Sequence, residues 1–456
     1  MNTRIEHDSM GDIDVPVDAL YGAQTQRAIL NFPVSGQPMP LLFIKGLIQI
    51  KRAAALANGE LDCLPMSVAN AIETACDTLL SDPRLMNHFP VDVFQTGSGT
   101  STNMNANEVI ARLAGMQTSQ TLSPNDHVNL GQSSNDVIPA CIHVSAALAV
   151  HLRLIPALRY LGDTIDERAG ELTNICKTGR THLMDAMPVT FSQVLSGWSA
   201  QIRDNVQRLE ALQPMLQALA LGGTAVGTGV NTHSTFARVT CSHLEKSTGL
   251  SFSPATNLFA AIGSQDTAVA LSGVLKTCAV SLMKIANDLR WMNSGPLAGL
   301  GEIELPTLQP GSSIMPGKVN PVIPESTTMV AAQVIGNDAT ITLAGQSGNF
   351  ELNVMLPLIA TRLLESITLL DASAHLLADK AIAGFTVNEP RLADALHRNP
   401  ILATALNPHI GYLKAAEVAK KAYRENRPVI DVAEELTTLS REELERLLDP
   451  LLLTRR

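Results

Sequence analysis

Between residues 132 and 388 the chain repeats one pattern. Apolar residues recur at three- and four-residue intervals, and short polar breaks separate the runs. Segments 136–173, 191–221, 264–296, 325–345 and 351–384 all carry this helical period with few breakers. Segment 264–296 is apolar nearly all round until Ser294-Gly295-Pro296 stops it, the mark of a buried helix. Five long helices of this kind predict a bundle. Residues 1–131 read instead as mixed loops and short helices, dense in Pro, Asn and Gly. Residues 389–456 carry short helical segments with a more charged surface. Strand signals are weak. The expected fold is mainly α, with an N-terminal mostly helical domain over 1–131, a central five-helix-bundle domain over 132–388 and a small C-terminal helical domain over 389–456.

Composition sharpens this picture. A chain of 456 residues is too long for one compact core of ordinary size. Hydrophobic residues make up 45% but aromatics only 4%, which suits closely packed helices. Charged residues are 17%, below the usual quarter, so much of the surface is expected to be buried against partner subunits. The net charge of -10 and the lack of a basic stripe argue against nucleic acid. No apolar run approaches the roughly 18 residues a membrane span needs, and no export or organelle presequence is evident. A soluble cytoplasmic protein is expected. The six cysteines are scattered, with no C-x-x-C pair and no metal-ligand spacing, and read as reduced thiols.

Four polar patches interrupt the apolar pattern, each leading towards a helix: "QTGSGTSTNMNANEVI" (95–110), "SPNDHVNLGQSSNDVIP" (123–139), "KTGRTHLMDAMPVT" (177–190) and "GSSIMPGKVNPVIPE" (311–325). Each is rich in hydroxyl and amide donors. Helix N-termini add unpaired N–H groups and partial positive charge, so such places suit anions. The only basic side chains near these donors are Arg180 and Lys318, with Lys177 at one edge. A carboxylate fits that supply better than a triphosphate. Any one patch alone is more simply a helix cap; four of them in a charge-poor chain suggest a site. The 311–325 stretch is not a phosphate loop: five residues separate Gly311 from Gly317, and Val319 stands where a magnesium-binding hydroxyl belongs. "GSGTST" and "GTGVNT" lack the third glycine of a dinucleotide fingerprint. Gly311 and Gly317 can let the loop move, Asn320 can cap a helix starting at Pro321, and Lys318 then stands beside its N-terminus.

"GSSIMPGKVNP" resembles the signature of the fumarase/aspartase superfamily, whose members eliminate across a C–N or C–O bond. "LYGAQTQRAILNFPVSG", "GQSSND", "GRTHLMDAMPVT", "GGTAVGTGVNTH" and "ALNPHIGYLKAAEVAKKA" are similar to family segments in the family's order, over almost the whole chain. Ser133-Ser134-Asn135, "SGNFELNV" and "TALNPHIGY" resemble the class II fumarate hydratases, whereas "GTSTNMN" and "NPVIPE" lean towards the ammonia-lyases. The resemblance implies three mostly helical domains around a five-helix bundle. It also implies a homotetramer joined through its bundles, with each active site shared by three subunits. The implied activity is reversible hydration of fumarate to (S)-malate, a tricarboxylic acid cycle step, with a small dicarboxylate as substrate and neither cofactor nor metal.

Carried over by position, the resemblance makes Ser312 the base that takes the C3 proton of malate. Lys318, Asn320 and backbone N–H groups would hold the aci-carboxylate that forms. Ser98, Thr100, Ser133, Ser134, Asn135 and Thr181 would bind the carboxylates, with Ser313 as a neighbouring contact. His182 would activate or protonate the departing water, oriented by Glu325. Asn125 and Asp126 would belong to a second, non-catalytic anion site. Several positions depart from the family pattern. Ser123 replaces a histidine, Leu130 a lysine, Val194 a glutamate and Leu297 an arginine. These losses keep open an aspartate or substituted-aspartate ammonia-lyase, and a non-catalytic descendant, beside the hydratase.

Overall fold

The computed structural model describes residues 2–118 and 121–455. The five expected long helices are present: Ser134–Ala149 continuing through a π turn into Ile155–Glu171, then Phe191–Leu216, Asp266–Met292, Val322–Gly345 and Leu356–Leu377. Their cores are almost wholly Leu, Ile, Val and Ala, with Trp198 buried in Phe191–Leu216. Few aromatic side chains stand between the helices, which favours close helix contact.

By internal contacts the chain forms two compact units. The first comprises Met1–Pro156, Gln207–Ala279 and Ala332–Asp371; the second Ala157–Val206, Val280–Ala331 and Ala372–Arg456. Every one of the long helices contributes residues to both.

In the first unit the N-terminal third is more regular than its Pro, Asn and Gly content predicts. It opens with an antiparallel hairpin, Thr3–Asp8 with Gly11–Pro16, and then builds long helices over Leu41–Glu60, Met66–Ser81 and Thr100–Thr118. The expectation of short helices fails because many of its polar residues are buried helix residues. Asn103, Asn105 and Asn107 are each at most 1% exposed. Leu41–Glu60 packs against Met66–Ser81, Phe236–Thr248 and Ser134–Ala149.

The second unit holds another hairpin, Cys176–Thr181 with Met184–Thr190, and a two-residue antiparallel pairing of Ile303–Glu304 with Thr386–Val387. Its C-terminal helices Tyr412–Glu425, Val429–Leu436 and Arg441–Leu447 close around Leu406, Val418, Val432 and Leu444. Their solvent faces carry the expected charge, including the Lys421–Glu435–Arg427 pairs.

Two helical runs, Ser134–Glu171 and Asp266–Met292, are long and apolar enough to cross a membrane, contrary to the reading of the sequence by runs. In the first, 72% of the most apolar stretch is buried within the protein, as in a core helix. In the second only 50% is, and Val280 and Trp291 are more than half exposed.

Candidate active site

Ser98 and Thr100 sit where a turn leads into the Thr100–Thr118 helix. Their hydroxyls are 2.8 Å apart. Gln95 caps the helix, its Oε1 accepting from Thr102 N at 2.9 Å and Thr102 Oγ1 at 2.8 Å. Gly97 is required here by contact: a Cβ would lie 1.7 Å from the Val354 carbonyl oxygen, and Leu356 N donates to Gly97 O at 3.0 Å. That contact ties the Ser98-Thr100 turn to the start of the Leu356–Leu377 helix.

Ser133 caps the Ser134–Ala149 helix in a reciprocal box with Asp136. Ser133 N donates to Asp136 Oδ1 at 2.9 Å, and Gly222 N and Thr224 N donate to Oδ2 at 3.1 and 2.9 Å. One buried carboxylate thus fixes both the helix start and the "GGTAVG" loop. Asn135 holds the same loop through Nδ2 donating to Ala225 O at 2.8 Å. Burial pushes Asp136 up to about 6, against the pull of its three backbone donors. Ser133, Ser134 and Asn135 remain half-buried at the positive end of the helix.

Beneath them lies Lys51, fully buried. Its ammonium donates to Asn129 Oδ1 at 2.9 Å and Gln132 Oε1 at 3.0 Å. Burial draws it down to about 7, opposed first by Asp136. Nothing in the motifs singled out this lysine; in sequence it is one cation on an apolar helix, which reads as a side chain reaching for solvent.

In the second unit, Thr181 and His182 stand at the tip of the Cys176–Thr181/Met184–Thr190 hairpin and are exposed. The third polar patch was expected to open a helix directly. Instead it is this hairpin, and the helix begins only at Phe191. His182 and Leu183 both take positive φ, 55° and 61°, so the turn projects the imidazole outward. Below the tip, Glu302, 3% exposed, binds the patch's two cations. Arg180 reaches both of its oxygens, and Lys177 Nζ lies 3.4 Å from Oε2. Burial lowers Lys177, with Glu302 pulling the other way. Arg180 and Lys177 are therefore spent on a structural ion cluster, a role that sequence reading missed because Glu302 is 122 residues from Arg180.

Lys318 is left as the exposed cation of the fourth patch. Its loop closes on itself, with Gly311 N donating to Lys318 O at 2.7 Å. Ser312 Oγ accepts from Ile314 N at 3.2 Å and Met315 N at 3.0 Å. Ser313 is exposed beside it. The helix expected from Pro321 starts at Val322. Asn320 accordingly does not cap it with its side chain; Nδ2 donates to Gly311 O at 2.7 Å and pins the base of the loop. Glu325 is half-buried in the first turn of that helix. No hydrogen bond joins it to His182 within the chain among the described residues.

Asn125 and Asp126 lie exposed on the π turn Pro124–Val128. Ser123, in the position of the family's histidine, caps that turn: its Oγ donates to Asp126 Oδ2 at 2.8 Å and accepts from Asp126 N at 3.1 Å. Leu297 is 88% exposed in the turn after Asp266–Met292, and Val194 is half-buried near the start of Phe191–Leu216.

Comparison with known proteins identifies the family. The lyase family description matches residues 11–336, and that of the fumarase C C-terminus matches 402–455. The chain is 65% identical over 453 residues to fumarate hydratase class II 2 of Pseudomonas aeruginosa, covering 99% of each. It is 60% identical to fumarate hydratase class II of Xylella fastidiosa (strain Temecula1), over 99% of this chain and 95% of that one. Among solved structures it superposes on class II fumarase from Schistosoma mansoni with a TM-score of 0.96 at 38% identity, over 99% of both chains. Native fumarate lyase:delta crystallin from Brucella melitensis gives a TM-score of 0.90 at 41% identity, over 98% of this chain and all of that one. The cap at Ser133-Ser134-Asn135, the outward His182 and the self-closed Ser312–Lys318 loop thus occur in a chain that belongs to the lyase family, among the class II fumarate hydratases.

Proposed function

We propose that this protein catalyses the reversible anti hydration of fumarate to (S)-malate. The observation that carries the mechanism is the environment of Ser312. A serine hydroxyl is a poor base in water. Here two backbone N–H groups, from Ile314 and Met315, already point at Oγ. They stabilise the alkoxide form of Ser312, which is the reactive base, and Lys318 on the same loop adds positive charge.

In the dehydrating direction, Ser312 reacts as the alkoxide, its hydroxyl proton having passed to solvent; Oγ takes the C3 proton of malate and returns to the neutral hydroxyl. The electron pair moves into the adjacent carboxylate, giving the dianionic aci-carboxylate. Lys318 and Asn320 hold that charge. The C2–O bond then breaks, the double bond of fumarate forms, and His182 protonates the departing hydroxyl as water, oriented by Glu325. Ser98, Thr100, Ser133, Ser134, Asn135 and Thr181 hold the substrate carboxylates, with Ser313 as a further contact. The donor-rich, cation-poor character of these groups supports a small dicarboxylate.

The working form in this proposal is a homotetramer with each site drawn from three subunits. In support, Val280 and Trp291 on Asp266–Met292 and Met329 and Leu343 on Val322–Gly345 are more than half exposed, an apolar display that suits partner helices. Six cysteines with free thiols suit a reducing cytoplasm.

Ser312→Ala is the direct test. It removes the base without removing the carboxylate ligands. Turnover should fall by about a hundredfold or more while succinate still binds. Turnover within a few-fold of the parent would remove Ser312 from the chemistry.

A further inference from the structure

The mechanism leaves unused a fully buried lysine that sits under the Ser133–Asn135 turn. We propose that Lys51 is a positioning residue that sets the hydrogen-bond polarity of a buried relay, so that the Ser134 hydroxyl is presented to the substrate carboxylate as a donor. This inference rests on the hydratase reading of the site.

A lysine amine keeps N–H donors in either protonation state, and the Asn129 amino group is already engaged, Nδ2 donating to Gln132 O at 3.2 Å. The Asn129 atom 2.9 Å from Lys51 Nζ must therefore be the amide oxygen, which removes the usual ambiguity of amide orientation. That oxygen accepts two further donors, Asn103 Nδ2 and Asn107 Nδ2, each at 3.1 Å. Asn103 and Asn107 must then turn their amino groups towards Asn129. The second N–H of Asn103 donates to Ser134 Oγ at 3.2 Å. With an acceptor site of its oxygen used from inside, the Ser134 hydroxyl hydrogen is free to point outward.

The relay carries a cost that supports this direction. The Oδ1 atoms of Asn103 and Asn107 are buried without a hydrogen-bond partner in the protein. Turning either amide over would bring its oxygen against Asn129 Oδ1. Two unpaired buried oxygens are tolerated, and donors run outward from Lys51 to Ser134. Gln132 is fixed in the same sense: Oε1 faces Lys51, and Nε2 donates to Val128 O at 3.0 Å and Leu130 O at 3.2 Å.

The test first requires that the parent protein hydrate fumarate; a parent without turnover would count against the functional reading and not against the relay. Lys51→Met then removes the donor while keeping an unbranched apolar stem. The expected result is a rise of about tenfold in KM for fumarate and in the succinate dissociation constant by calorimetry, with a smaller change in kcat. A merely structural lysine would not give that split. The effect should also disappear in a Ser134→Ala background, because the relay then has no hydroxyl to orient. Asn129→Asp keeps the accepting oxygen and places a carboxylate beside the Lys51 amine, giving up one donation, Nδ2 to Gln132 O at 3.2 Å. It still accepts from Lys51, Asn103 and Asn107, so succinate affinity should stay within about threefold of the parent. Unchanged succinate affinity in a folded Lys51→Met protein would overturn the proposal. So would a tenfold or greater loss in an Asn129→Asp protein that melts with the parent, which remains decisive if Lys51→Met does not fold.

Discussion

Replacing Glu302 by Gln would leave the hairpin that carries Thr181 and His182 without its anchor. Glu302 is the buried carboxylate that both Arg180 and Lys177 contact. The side chains of Lys177 and Glu302 are only 6% and 4% exposed, that of Arg180 20%. Breaking a buried ion cluster by removing one partner costs about 3–5 kcal/mol, because the charges left behind stay desolvated. Counting bonds gives a similar figure: two charge-assisted hydrogen bonds from Arg180 contribute roughly 1.5–3 kcal/mol each. The partial exposure of Arg180 favours the lower end, so about 3 kcal/mol is the working value. Glu302 lies outside the hairpin, so local opening of the hairpin separates these groups. Loss of about 3 kcal/mol from that opening should speed amide exchange of Cys176–Thr181 and Met184–Thr190 on the order of a hundredfold. Hydrogen–deuterium exchange followed by peptide mass analysis reads this directly, with Tyr412–Glu425 as an internal reference that should not change. Turnover should fall with it, as His182 loses its fixed position. Hairpin exchange within a few-fold of the parent would refute the claim that this ion cluster holds the catalytic tip.

Two further outcomes follow from separate parts of the first unit. Gly97→Ala places a methyl 1.7 Å from the Val354 carbonyl, so the protein should lose about 3 kcal/mol or more and melt several degrees lower; an unchanged melting temperature would contradict the described contact. Lys51 has a folded value near 7, below that of a free lysine, so the unfolded chain holds more protons between about pH 7 and pH 10. Its presence should therefore become less destabilising as pH rises through that window. Asp136 acts in the opposite sense, since its folded value near 6 lies above the unfolded one and its penalty appears as pH rises from about 4 to 6. The groups bearing on Lys51 are Asp136 and Cys141 on Ser134–Ala149 and Cys76 on Met66–Ser81, while Glu108 is engaged by the backbone of Gly22, Gln24 and Thr25. The measurement is the melting-temperature difference between parent and Lys51→Met from pH 7 to pH 10; it should move in the parent's favour, and a constant difference would contradict the assignment.

The five long helices were legible because each buries a continuous apolar stripe, and the stripe has a period. The N-terminal helices were less so. Thr100–Thr118 buries three asparagines that in sequence look like loop residues, because their partners, Asn129 and the His88 carbonyl among them, come from other segments. The four polar patches marked positions that the structure places at turns and helix starts, but not what lies below them. Arg180 looked available for an anion and is neutralised by Glu302. Asn320 looked like a cap and pins the loop base to Gly311 instead. The left-handed turn at His182 has no glycine to announce it. Lys51 and Asp136 gain their roles only through burial and long-range contact, which motif spacing does not encode.

The most direct test of the account is the ultraviolet absorbance of fumarate over time with purified protein, first without ammonia and then with ammonium added. The conjugated double bond should be lost in ammonia-free buffer, with malate as product and no acceleration by ammonium. Loss only when ammonium is present would mean an ammonia-lyase and would contradict the hydratase reading.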